Sequence, residues 1–143
     1  MIQRIQSIYL FLAAGAAFAL FAVPFATTPE VQADSVIFAD ATFNTQDSIA
    51  MMAGFGLAGL LLLVIIFLYN NRKLQMNLTK VGIFLAGVGV GGAAQRYFSD
   101  SAADAAQFAA GVALPALIII FAFLALRSIN KDEKLVRSVD RLR

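Results

Sequence analysis

The 143-residue chain has no cysteine, no histidine and no tryptophan. Without cysteine there is no disulfide, no thiolate nucleophile and no sulfur-ligated metal. Without histidine there is no imidazole ligand, no histidine-held haem, and neither a Ser-His nor a Cys-His catalytic pair. Charge is also scarce, at 14% of residues against roughly 25% in soluble domains. Proline occurs three times. What fills the chain instead is apolar, 60% of it before its ten glycines are added. So short a chain cannot enclose that much apolar surface in a water-shielded core. The surplus must face lipid.

Three stretches lack any charge: 25 residues from Ile5 to Pro29, 24 from Ser48 to Asn71 and 22 from Ala105 to Leu126. Each exceeds the ~20 apolar residues that a helix needs to cross a bilayer. A fourth, Val81–Gln95, has only 15 and includes Gly82, Gly87, Gly89, Gly91 and Gly92. Glycine weakens a helix by ~1 kcal/mol relative to alanine, so this segment reads either as a re-entrant turn or as a full span. The sharp charge difference between Arg72–Lys80 and Ser99–Asp104 favours the full span. The expected fold is therefore an all-α membrane protein, a single four-transmembrane-helix bundle. Its spans fall at about 5–25, 49–69, 81–98 and 108–126, with an extracytoplasmic loop at 26–48 and a cytoplasmic tail at 127–143. A cleavable signal peptide ending near Ala22–Ala26 is the rival for the first span. Its apolar run is longer than a usual signal core, which favours an uncleaved helix.

Sorting charges by side gives the orientation. One side holds Arg4, Arg72, Lys73, Lys80, Arg127, Lys131, Lys134, Arg137, Arg141 and Arg143 with three acids, net +7. The other holds Arg96 with Glu30, Asp34, Asp40, Asp47, Asp100 and Asp104, net −5. The positive-inside rule then makes both termini cytoplasmic. Tyr9, Tyr69 and Tyr97 fall near span ends, where an amphipathic ring is favoured.

Small residues mark expected contact faces: Gly87 and Gly91 on the third helix, Gly15 and Ala19 on the first, Gly54, Ala58 and Gly59 on the second. These pack the four helices together or meet a second copy or another protein. Ser101–Asp104 reads as a capping box that starts the fourth helix. Pro115 then falls mid-helix, where it kinks the helix or loosens the bond to Gly111, for packing or for gating. Ser35–Phe43 reads as a short strand or hairpin, or as a loop tucking apolar side chains over the helices. Its acids lack the spacing of a calcium-binding loop.

No acid, lysine or histidine lies in the core of spans one, two and four, so an ion or proton path is not written there. The glycines Gly87–Gly92 lack the lysine of a phosphate-binding loop, and a carboxylate pair for acid–base work could sit only in the outer loop or at Asp132 and Glu133, which point to different faces of a helix. The chain reads as a non-enzyme with no cofactor. Its polar segment is the tail, where Leu135, Val136, Val139 and Leu142 recur at helical spacing among Lys134, Arg137, Arg141 and Arg143. Such a helix lies on the anionic inner leaflet or docks a partner. Nucleic acid is not expected, since no aromatics interleave with the charges.

The opening Met1–Leu10, the segment Asn71-Arg72-Lys73-Leu74-Gln75 and the ending Lys131–Arg143 resemble a small four-helix membrane family of Bacteroidota that is described only as a domain of unknown function. The likeness covers the whole chain. It implies a Gram-negative inner membrane and four spans, with no established activity or site. The leading expectation is an accessory or scaffold subunit that docks a membrane complex, a cytoplasmic protein or anionic lipid through Arg72, Lys73, Gln75, Lys131, Lys134, Arg137, Arg141 and Arg143. Alternatives are a small transporter or channel subunit for an uncharged or lipid-like substrate, with a path along Gly87–Gly92 gated at Pro115, and an enzyme acting on lipid.

Overall fold

The computed structural model describes residues 5–140. It is mostly helical: α1 (Ile5–Ala19), α2 (Ile49–Ile65), α3 (Arg72–Ser99) and α4 (Ala113–Asp140). Three two-residue strands, β1 (Ala26–Thr27), β2 (Thr42–Phe43) and β3 (Gln107–Phe108), form an antiparallel sheet in the order β2-β1-β3. Of the segment Ser35–Phe43, read as a short strand or hairpin or as a loop, only Thr42–Phe43 is strand; β1 and β3 were not expected. Each helix packs on two others, α1 on α2, α2 on α3, α3 on α4 and α4 on α1. Two of them, α3 and α4, are long and apolar enough to cross a membrane, while α1 and α2 are shorter apolar helices.

Each helix boundary has a local cause. Proline constrains the residue before it and lacks an N–H, so α1 ends ahead of Val23-Pro24 and not at residue 25. Beyond it, Phe25 pairs with Phe43 through its N–H at 2.8 Å. The carbonyls freed at that end are taken up by side chains: Thr45 Oγ1 donates to Leu20 O at 2.6 Å, and Gln46 Nε2 to Phe21 O at 3.2 Å. Beyond Ile65 the chain keeps tighter turns, with Ile66, Phe67 and Leu68 N–H groups each bonding a carbonyl three residues back. Asn71 Oδ1 accepts from Leu74 N at 3.0 Å and caps α3. That helix therefore starts nine residues before the expected 81, and it runs unbroken through all five of its glycines, which removes the re-entrant alternative.

The fourth helix differs most from expectation. Phe108 is in β3, and Ser101–Asp104 is a turn leading into a single 3-10 turn, Ala103–Ala105, not the start of the fourth helix. With α4 beginning at Ala113, Pro115 lies in its first turn, where the missing N–H costs nothing and the fixed φ helps. The expected mid-helix kink at Pro115 is withdrawn. Gly111 also has another role. Its N–H donates to Pro24 O at 3.0 Å, and a Cβ there would collide with that carbonyl. The tail is no separate helix either, because α4 continues through Asp140.

Small residues share the interior with large ones such as Leu10, Met51, Phe55, Leu62 and Ile118, and many large apolar residues also lie outside. Ala13, Ala14, Ala17, Ala58, Ala86, Ala122 and Ala125 are buried, whereas Phe11, Phe18, Leu57, Leu60, Phe84, Ile120 and Phe123 are exposed. Glycine is required where α2 meets α3. A Cβ on Gly54 would lie 2.5 Å from Gly89 N, and one on Gly89 would lie 2.8 Å from the Phe55 ring. The expected pair Gly87 and Gly91 is on the opposite face, with nothing within 4 Å of either position. Gly15 is equally open. Within the chain the close approach is made by Gly54, Gly82, Gly89 and Gly92.

One end of the helices is closed by segment 26–48. Ile37, Phe38 and Phe43 are buried there. Phe25 holds the cluster together, with ring centroids 5.7 Å from Phe43 and 6.0 Å from Phe55. Asp100, just past α3, ties this segment down from the other side. Its carboxylate accepts from Ser35 Oγ at 2.7 Å, Ala102 N at 2.9 Å, Val36 N at 3.1 Å and Ile37 N at 3.3 Å.

Candidate functional site

The opposite end gathers the cationic residues. Helix α2 finishes, a short turn follows, and the Asn71 cap launches α3, which sets Arg72 and Lys73 at its first turn. Along α4 the last buried residue among the described side chains is Ile129. One turn later Glu133 comes beside Tyr69, Asn70, Asn71, Arg72 and Lys73, and these six residues line an open cleft of about 430 Å³. Lys131 and Lys134 are exposed on either side of Glu133. Beyond them α4 runs to Asp140 with Leu135 and Val136 uncovered. The structure thus brings Arg72, Lys73, Lys131 and Lys134 to one end of the molecule. Arg141 and Arg143 lie outside the described residues, as does the side chain of Arg137.

Gln75 does not belong to this surface. It is fully buried: its Nε2 donates to Ile65 O at 3.2 Å, and its Oε1 accepts from Gln6 Nε2 at 3.4 Å. Thr79 Oγ1 donates to Gln75 O at 2.8 Å directly below. The helical phase explains the correction. Gln75 is the first member of the inward stripe Gln75, Thr79, Gly82, Ala86, Gly89, Gly92, so the residue that reads as the edge of a basic loop is the start of the core. Its amide serves the end of α2, sharing the Ile65 carbonyl with the Leu68 N–H. Gln6 Oε1 is buried with no hydrogen-bond partner among the described residues.

These roles predict unequal substitutions. Gln75→Leu leaves Ile65 O only the Leu68 N–H and leaves the buried Gln6 amide with no partner at either end among the described residues, and is expected to cost about 1–3 kcal/mol. Gln6→Leu takes the donor from Gln75 Oε1 but also removes an already unpartnered acceptor, so the two partly offset and it should stay within about 1 kcal/mol of the parent. Thermal unfolding of the two variants in one detergent checks this, and equal losses would refute the assignment.

Among the described residues no group of three or more Asp or Glu side chains is placed to hold a metal ion. The cleft can offer an acidic or anionic partner a guanidinium, ammonium groups and carboxamides around one carboxylate. Sequence reasoning missed Tyr69, Asn70 and Asn71 as lining residues. The Asn70-Asn71 pair ahead of Arg72 was the available signal, since asparagine is favoured before a helix.

A family model matches residues 2–142, nearly the whole chain. The chain belongs to the family described as Domain of unknown function (DUF4293). No curated protein and no solved structure matches it. The family match runs through both buried glutamines and the basic cleft, and its description names no activity for them.

Proposed function

We propose that this member of DUF4293 is a four-span inner-membrane protein with both ends in the cytoplasm, and that it serves as an accessory subunit docking a partner protein through its basic end. The membrane part rests on the apolar exterior. Large apolar side chains clothe the outer surface of all four helices, α1 and α2 included, and alanine and glycine make the close approaches between them. Lipid supplies no hydrophobic drive for helix association, so close approach through small residues is what holds such helices together. The orientation follows from the basic bias of the end that carries Arg72, Lys73, Lys131 and Lys134.

The observation that carries the docking reading is the continuity of α4. A tail that lies along a bilayer needs a break where the helix leaves the membrane, and α4 has none between Ala113 and Asp140. Past Ile129 it extends eleven residues, roughly 16 Å at 1.5 Å per residue. A projecting rod with exposed Leu135 and Val136 among lysines suits a protein partner better than a flat leaflet. Against the transport reading, the α2–α3 seam has no room for a methyl group at Gly54 or Gly89 and Pro115 lies in the first turn of α4, although Pro115 and Val90 do line one apolar groove of about 260 Å³.

Both parts are tested on native membranes. Because the chain has no cysteine, single cysteines at Val36 and Lys134 report sidedness. A membrane-impermeant maleimide should label the first and not the second in spheroplasts, and the reverse pattern refutes the orientation. A tagged chain extracted in mild detergent should bring down one stoichiometric partner that is lost when 131–143 is deleted. Recovery of the bare protein from both preparations refutes the docking reading.

A further inference from the structure

A second polar cleft lies at the far end from the basic face, and nothing so far assigns it a role. Ser48, Ile49, Ala50, Gln95, Arg96 and Ser99 line an open space of about 380 Å³ where α2 begins against the last turns of α3. Three features converge there. The first is the N-terminus of α2, a 17-residue helix whose first N–H groups have no carbonyl one turn back and whose dipole favours negative charge. The second is Ser48. It occupies the capping position and is only 6% exposed, yet its side chain makes no capping hydrogen bond. No other partner for that hydroxyl exists among the described residues. On a residue otherwise this buried, the hydroxyl opens on the cleft and is available to a group bound there.

The third feature is Arg96, the one cation among six acids at this end of the sequence. Its guanidinium makes no ion pair or hydrogen bond among the described residues. Asp47, a carboxylate that feels its charge, instead accepts from Asn44 N at 2.6 Å. The Gln95 and Ser99 side chains are likewise without hydrogen-bond partners among the described residues. A guanidinium fork, two hydroxyls, a carboxamide and a helix N-terminus supply many donors, a set suited to a tetrahedral oxyanion.

We propose that this cleft is a phosphate-binding site. The phosphate comes either from the headgroup of a membrane phospholipid or as the free ion. The surroundings suit the lipid source: Ile49 beside the cleft is 85% exposed, and Gly91 and Gly87 follow Gln95 one and two turns back along α3 with nothing over them. An acyl chain attached to a phosphate in the cleft would find an apolar, unobstructed path there. The phosphate chemistry itself does not depend on the basic end docking a partner.

The test uses the purified full chain in neutral detergent with three probes: inorganic phosphate, phosphatidylglycerol, and diacylglycerol as the same lipid without phosphate. Binding is read by native mass spectrometry and by the rise in unfolding temperature. At least one phosphate-bearing probe is expected to bind, about tenfold more weakly to Arg96→Gln and several-fold more weakly to Ser48→Ala. Arg96→Lys should recover part of the loss, since it keeps the charge without the fork. Because Arg96 is exposed, its substitution leaves folding intact, and circular dichroism verifies this for each variant. Binding of phosphatidylglycerol alone assigns the lipid source, and equal binding of inorganic phosphate assigns the free ion. Binding that ignores Arg96, or diacylglycerol binding as well as phosphatidylglycerol, overturns the proposal.

Discussion

Gly54→Ala is expected to destabilise the protein by at least about 3 kcal/mol, the upper part of the range for overpacked cores, while Gly91→Ala leaves it unchanged or slightly more stable. Both changes add one methyl group to a glycine in a long apolar helix. The difference lies in what the methyl meets. At Gly54 it would fall 2.5 Å from Gly89 N, 2.7 Å from Gly89 Cα and 2.8 Å from Leu85 O. All three are backbone atoms of α3, so no side chain can rotate away, and α2 and α3 must separate along the seam. Small radial gaps forfeit a quarter to a half of each dispersion contact, and in lipid those contacts are the main force between helices. At Gly91 nothing lies within 4 Å, so the only effect is the gain in helix propensity, up to ~1 kcal/mol. Thermal unfolding in detergent, with size-exclusion profiles as a check on folding, separates the two. Equal stability of Gly54→Ala and the parent would falsify the packing described for α2 and α3. A large loss in Gly91→Ala would point to a second copy or another protein seated on that face.

The same two glycines explain why the seam was only partly legible in the sequence. A four-residue step between glycines picks out Gly87 and Gly91, whereas the inward stripe runs Gln75, Thr79, Gly82, Ala86, Gly89, Gly92. That stripe is polar at one end and small throughout, so apolar periodicity cannot reveal it. Large apolar residues lie both outside and inside these helices, which removes the contrast that marks a core helix in water. The existence of four helices was legible because charge-free length records it directly. Their ends were not, since caps and prolines set them: Asn71 moved the start of α3 back to Arg72, and Pro24 ended α1 early. Pro115 shows how a boundary error spreads. Starting the fourth helix at 108 places the proline within a helix, and starting it at Ala113 makes the same proline a favourable opening residue. Arg72, Lys73, Lys131 and Lys134 were legible as one face because topology alone brings them together. Gln75, three residues from Arg72, was misread because a loop has no inward face and a helix does.

Asp100 was legible only as one more acid on its side of the membrane, and the largest polar effect is expected from it. Three of its four partners are 63 to 65 residues away in the chain, a distance no local pattern spans. Burial disfavours its ionised form. The Ala102 N–H, the Ser35 hydroxyl and the Ile37 and Val36 N–H groups outweigh that and hold its pKa below the ordinary carboxylate range. Asp100→Ala removes all four bonds and leaves Ser35, 6% exposed, without its acceptor. Hydrogen bonds to a charged group are worth up to about 3 kcal/mol each, but these lie at a water-facing edge, so the combined loss is set at about 2 kcal/mol. The loss should be local. Ser35 Oγ also accepts from Phe38 N at 2.8 Å, so releasing Ser35 frees Ile37 and Phe38 to lift from the Phe43 and Phe25 rings. The pH dependence has a definite sign. A carboxylate whose folded pKa is depressed contributes its stability in full above the unfolded value, and that stability is lost as pH falls through the folded one. Amide exchange at residues 35–38 should therefore be slower in the parent than in Asp100→Ala at pH 7. The two should converge once pH drops well below about 4. Equal protection at pH 7, or a difference that persists in strong acid, would show that Asp100 does not hold the segment through its charge.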